Sequence, residues 1–160
     1  MGYTDVTNRL EALENWAESP IRQLQPAARN KLARSIGQAL RRSQRQRIIS
    51  QRNPDGSMYT PRKQRNLRGK TRRVKRKKQM FQKLRTTRLL KAYGNSHTVS
   101  VGFFARVAGI ARVHQFGLKE HAGRRRPEIL YSRRQVLGFN DHDIDLIKDQ
   151  LLTHLAPIEK

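Results

Sequence analysis

Between Arg41 and Lys91 the chain carries 20 basic residues and one acid, Asp55, a net charge of +19. Repulsion on that scale opposes compaction, and a polyanion is the usual partner that relieves it. A solvated charged face ordinarily mixes the two signs, which this segment does not. The other 109 residues hold 15 basic and 11 acidic side chains, so most of the total of +23 sits in one stretch of a nearly balanced body. With 36% hydrophobic residues among 160, that body is one domain with a small core.

The densest part, Ser57 to Lys78, has 11 cations, no acid and few apolar anchors (Met58, Tyr59, Leu67, Val74). It buries too little apolar surface to offset its ordering entropy, so a long loop is expected, ordered only against a neighbouring subunit or nucleic acid. Only Tyr59 and Phe81 bracket the run, whereas proteins that read single strands interleave aromatics with cations so that bases can stack. Contact with phosphates is therefore expected, non-specific and salt-sensitive. The candidate contacts to DNA or to an acidic protein ring are Arg62, Lys63, Arg65, Arg68, Lys70, Arg72, Arg73, Lys75, Arg76, Lys77 and Lys78.

The rest of the chain reads as short regular elements. Val6, Leu10, Leu13 and Ala17 predict a helix over 5–18, capped by Thr4 and stopped at Ser19-Pro20. Pro26 opens a longer helix to about Ser50, with Ala28, Leu32, Ile36, Ala39 and Leu40 on one side and Arg29, Lys31, Arg34, Arg41, Arg42 and Arg45 opposite. Asn53-Pro54-Asp55-Gly56 is a turn. Met80, Phe81 and Leu84 predict a further helical face, and Leu89–Tyr93 with Thr98–Phe103 a hairpin around Gly94-Asn95-Ser96. Ala105–Phe116 returns to the helical period and ends at Gly117. A loop with Arg124-Arg125-Arg126 leads to an expected third strand within Ile129–Phe139. Asn140 then caps a last helix with Ile144, Ile147, Leu151 and Leu155 on its buried face, and Asp141, Asp143 and Asp145 at its positive end. The fold class is α+β, a small antiparallel sheet packed against helices. Within a single domain, residues 1–53 form an N-terminal helical arm, 54–79 the basic loop and 80–160 the α+β core.

No pattern of catalytic or metal-ligating residues emerges. The chain has no cysteine, and His97, His114, His121, His142 and His154 match no zinc spacing. His114 reads as a packing and hydrogen-bonding residue. A calcium loop starting at Asp141 needs glycine sixth and glutamate twelfth, where Leu146 and Leu152 stand. P-loop, dinucleotide fingerprint and nucleophile elbow are absent. No cofactor is expected, no apolar run approaches the ~20 residues that span a bilayer, and Met1–Trp16 lacks an export pattern.

Five segments together resemble the phage virion morphogenesis family. They are Ile48-Ile49-Ser50-Gln51-Arg52 leading into Pro54-Asp55-Gly56; Met80-Phe81; Val99-Ser100-Val101-Gly102-Phe103; Ile110 to Gly117; and Arg134 to Asp143. They keep the family's order from about residue 5 to 155. One departure is Tyr131-Ser132-Arg133-Arg134, where the family commonly has an aromatic-Pro-Ala-Arg run. The resemblance implies a non-catalytic component of the virion, at the head–tail junction or tail end, present in the host cytoplasm during assembly. The implied partners are other copies in a ring, commonly a hexamer, neighbouring phage neck and tail proteins, and genomic DNA bound non-specifically in the channel; no membrane is involved. Pro54, Asp55, Gly56, His114, Gln115, Phe116, Gly117, Leu137 and Gly138 are its candidate subunit-interface or structural-motif residues.

Two other classes compete. Charge alone would suit a nucleic-acid-binding protein of ribosomal or nucleoid type, recognised by salt-dependent binding to free nucleic acid and absence from virions. A nuclease needs clustered acids around a metal, and the acids here sit at one helix start, where capping explains them.

Overall fold

The apolar stripe Val6, Leu10, Leu13 and Ala17 builds helix α1 (Tyr3–Gln23) in the computed structural model, which describes residues 3–62, 79–104, 106–121 and 127–155. The helix runs past its expected stop at Ser19-Pro20. Pro20 lies inside it, and Ile21 beyond, with Leu24 just after the helix, packs onto the core beside Ala17. That burial outweighs the one backbone hydrogen bond the ring removes.

Helix α2 (Pro26–Ile49) begins and ends as its sequence predicts, with Pro26 in its first turn. Its C-terminus closes on Gln51, held in the left-handed region at φ +58. The Gln51 N–H donates to the Ile48 carbonyl and the Arg52 N–H to the Arg47 carbonyl, both at 3.2 Å, in the paired pattern that satisfies the last carbonyls of a helix. Leu32, Ala33, Ile36, Gly37, Ala39, Leu40 and Ile48 are buried along one side, packed against a β-hairpin and the last helix.

That hairpin joins β1 (Leu90–Gly94) and β2 (Val99–Phe103), antiparallel, with Leu90 opposite Phe103 and Gly94 opposite Val99. Asn95 shapes the turn by accepting the His97 and Thr98 N–H groups at 2.9 and 2.8 Å. Small residues let the hairpin lie directly on α2. A Cβ on Gly94 would stand 2.7 Å from the Ala33 carbonyl carbon, and one on Gly37 3.4 Å from the Ala92 Cβ.

Helix α3 (Arg106–Phe116) ends at Gly117, whose φ of +67 accompanies a Leu118 N–H bond to the Val113 carbonyl at 2.9 Å. Next come β3 (Lys119–His121) and β4 (Glu128–Leu130), a second antiparallel pair; Arg124-Arg125-Arg126 lie outside the described residues. The expected third strand is thus three residues long and pairs with β3 instead of joining β1 and β2. Most of residues 131–140 have no ladder partner because side chains hold their backbone instead. Helix α4 (Asp141–Leu155) starts at Asn140 as predicted. The Asn140 Oδ1 accepts the Asp143 N–H at 3.0 Å, and the Asp143 carboxylate accepts the Asn140 N–H at 3.2 Å, a reciprocal cap.

Two apolar clusters result. Ala17, Leu32, Ile36, Leu40 and Leu151 join α1, α2 and α4, with Val99 and Val101 against them. Tyr59, Leu84, Ala111 and Val136 form the other, with Met80, Phe81 and Phe103 at its edge. The N-terminal helical segment is present as expected, and it is packed: Arg9 of α1 pairs with Asp141 and Asp145 of α4. Residues 80–85 form turns rather than the expected helix, since Phe81 adopts φ +63 to reach the second cluster. Among the described residues no helix is long and apolar enough to cross a membrane.

Candidate functional site

The turn at Asn53-Pro54-Asp55-Gly56 closes through a Gly56 N–H bond to the Asn53 carbonyl at 3.0 Å, with Gly56 at φ +83. Asp55 accepts from the Ser57 hydroxyl at 2.5 Å and the Ser57 N–H at 2.9 Å, and these bonds, helped by the Arg133 charge, hold its carboxyl below the usual carboxylate range. Pro54 packs against Gly138 so closely that a Cβ there would stand 2.6 Å from the proline Cγ. Turn, α3 and the 131–140 segment together wall a cleft of about 700 Å³, in which Pro54, Asp55, Gln115, Leu137 and Gly138 meet Asp5 and Val6 of α1. Five of the nine motif residues singled out from sequence therefore converge on one feature.

What shapes the cleft is a set of amide side chains standing in for strand partners. Gln115 donates to the Leu137 carbonyl at 2.8 Å and accepts the Leu137 N–H at 3.0 Å. Gln44 treats Gly138 the same way, at 2.8 and 3.3 Å. The Gly138 carbonyl also receives Arg47 at 2.7 Å, and Arg47 forms an ion pair with the fully buried Asp143. Asn53 accepts the Gln135 N–H at 2.8 Å. None of Gln44, Arg47 or Asp143 stood out as a site residue from sequence. A signal existed: Leu40, Gln44 and Ile48 follow the helical period, so a polar side chain occupies a core position.

The same chemistry fixes both ends of the cationic segment. Arg134 is buried without a carboxylate partner among the described residues, and it spends its guanidinium on the carbonyls of Thr60 at 2.7 Å, Pro61 at 3.1 Å and Ser132 at 3.2 Å. Burial, and then the charge of Arg62, lower its pKa. On the return side, Gln51 accepts the Met80 N–H at 2.8 Å and donates to the Met80 carbonyl at 3.1 Å. Arg62 is exposed at the departing end. Lys63, Arg65, Arg68, Lys70, Arg72, Arg73, Lys75, Arg76, Lys77 and Lys78 lie outside the described residues.

His114 sits edge-on between Phe81 and Tyr131, at centroid distances of 4.9 and 5.1 Å, with its Nδ1 3.4 Å from Arg134. Burial first, and the charges of Arg134 and Arg62 next, push its pKa down to about 4, so the ring is neutral at physiological pH. The ring packs between the two aromatic side chains. Burial pushes the Tyr59 hydroxyl up to about 12, so it remains a donor, here to the Gln135 carbonyl at 3.3 Å. Gly117 approaches Arg133, and Phe116 stands 60% exposed at the mouth of an apolar groove of about 350 Å³ shared with Phe103, Ala111, Val136 and Leu137.

Among the described residues no group of three or more His, Asp or Glu is placed to hold a metal ion. Gln115, Asn140 and Asp141 of the cleft lining are engaged with backbone or with other side chains, an arrangement that positions surfaces.

The phage virion morphogenesis family matches residues 8–156. The chain is 38% identical over 149 residues to the tail completion protein S of Escherichia phage P2, covering 92% of this chain and 98% of that protein. No solved structure matches. The matched span runs from within α1 through α4 and includes the amide-held segment, and the chain belongs to the phage virion morphogenesis family, with a structural and non-catalytic role in building the phage particle.

Proposed function

We propose that the chain completes the phage tail as one subunit of a ring, six copies being the expected number, at the junction where the tail meets the DNA-filled head. The observation that carries this reading is the similarity to a tail completion protein along 98% of that protein's length. The partners are then further copies of the chain, the neighbouring neck and tail proteins, and the genomic DNA as it passes. The protein is made and assembled in the host cytoplasm and ends in the virion.

Two surfaces support the reading. The groove beside Phe116 leaves apolar side chains open to solvent on the monomer, the kind of surface that a protein partner covers. The described chain on either side of the cationic residues is anchored, at Thr60-Pro61 and at Met80, which suits a cationic element directed toward a channel or an acidic neighbouring ring. Such a division makes 1–160 one domain with a cationic insertion.

A phage carrying a stop codon early in this gene tests the proposal. Filled heads and separate tails should accumulate, and adding the purified protein to that lysate should restore joined, infectious particles. Normal particle yield from the mutant would overturn it.

A further inference from the structure

We infer that the solvent face of α2 is an ordered contact surface for the phosphate backbone of double-stranded DNA, distinct from the 63–78 segment. The 24-residue helix contains seven cations and no acid. At about 100° per residue, Lys31, Arg34, Arg41, Arg42 and Arg45 fall within roughly 100° of arc, opposite the face that buries Ile36, Leu40 and Arg47. All five are exposed or half-exposed, and among the described residues none has a carboxylate partner. Two surface arginines outside the stripe do find one: Arg9 pairs with Asp141 and Asp145, and Arg22 with Glu18.

The stripe destabilises its own helix. Arg41 and Arg45 are four residues apart, while Lys31 and Arg34, and Arg42 and Arg45, are three apart, spacings at which like charges repel. Among the described residues no carboxylate offsets this repulsion, and a polyanion outside the chain would. A nucleic acid fits better than an acidic protein because the stripe has no apolar centre. Between Lys31 and Arg45 the other exposed residue on this arc, Gln38, is polar, whereas protein interfaces are built around apolar and aromatic side chains. Those lie elsewhere on this molecule, beside Phe116. From Lys31 to Arg45 the face is about 21 Å long, and a duplex presents roughly a dozen phosphate charges over that distance. Guanidinium forks suit phosphate oxygens. The inference rests on the proposed position of the protein beside packaged DNA.

Duplex binding by the full-length chain tests it. The probes are two unrelated duplexes of about 30 base pairs, titrated across a salt series by fluorescence anisotropy, with thermal unfolding as the control for folding. The variant K31Q/R34Q/R42Q/R45Q should bind at least about tenfold more weakly at physiological salt, equally on both sequences. Its slope of log affinity against log salt should shrink by about one for each contact removed. The single variants should each lower the slope by a smaller step, and R34K/R42K/R45K should keep the parental slope. A folded quadruple variant with unchanged affinity and slope overturns the inference, whether or not it still joins heads to tails. If the stripe binds duplex as described and the protein is nevertheless absent from particles, the tail-completion reading fails while this one stands.

Discussion

Arg47 of α2 and Asp143 of α4 form an ion pair that solvent does not reach, and the Asp143 carboxylate also accepts from Ser43 and from the Asn140 N–H. One carboxylate thus ends the irregular 131–140 segment, starts α4 and ties both to the central helix. Removing one partner strands the other charge in the interior. Asp143→Asn or Arg47→Met should each destabilise the protein by about 3–5 kcal/mol, while the double change Arg47→Met/Asp143→Asn should cost less than the sum. Urea unfolding of the three variants measures this.

Gln115 matters for a different reason. Its amide supplies both hydrogen bonds that the Leu137 backbone would otherwise find in a strand. Gln115→Ala should cost about 1–3 kcal/mol and raise amide exchange at Leu137 and Gly138, whereas Gln115→Glu should keep an acceptor for the Leu137 N–H but lose the donated bond and set a carboxylate oxygen against the Leu137 carbonyl. Hydrogen exchange followed by NMR resolves the two residues.

Close approach makes two glycines irreplaceable and leaves others free. A Cβ at Gly94 meets the backbone of Ala33 and Arg34, and one at Gly138 meets the Pro54 ring. Alanine at either position should destabilise by about 1–3 kcal/mol. Gly109, mid-way along α3 with nothing within 4 Å of its added Cβ, should accept alanine with a gain of about 0.5–1 kcal/mol. Thermal midpoints of the three variants decide the matter.

His114 gives a pH dependence of known sign. Its pKa falls from 6.5 to about 4 in the folded chain, so below pH 6.5 the unfolded chain binds a proton that the folded chain does not. Stability from this residue is complete above about pH 6.5, declines as pH drops toward 4, and is gone below that. The contribution is on the order of 1–2 kcal/mol, since the ring is only partly shielded from solvent. Unfolding measured at pH 7 and pH 4.5 should show a smaller difference for His114→Gln than for the parent.

Where the sequence could be read, local chemistry sufficed. The period of Leu32, Ile36 and Leu40, the proline at the start of α2, the left-handed Gly117 and the Asn140 cap each act within a few residues, and each was placed correctly. The failures share a cause at longer range. Residues 129–139 look like one strand, yet pairing stops at Leu130, and the backbone of Gln135, Leu137 and Gly138 is held by Asn53, Gln115 and Gln44, far away in the chain. Met80, Phe81 and Leu84 have helical spacing, yet Gln51 grips the Met80 backbone and Phe81 turns left-handed beneath Tyr59 and His114. Pro20 looks like a stop, yet the burial of Ile21 and Leu24 carries α1 across it. The motif residues Pro54, Gln115, Leu137 and Gly138 were legible as a set, but their meeting in one cleft was not, because contact between distant segments leaves no trace in spacing.

Imaging of purified particles by electron cryomicroscopy, with mass spectrometry of the same sample, measures the placement itself. The account predicts this polypeptide in every joined particle, as a closed ring at the head-proximal end of the tail with the α2 stripe turned toward the DNA. Joined particles that contain none of it, or that carry it only away from that junction, would contradict the account.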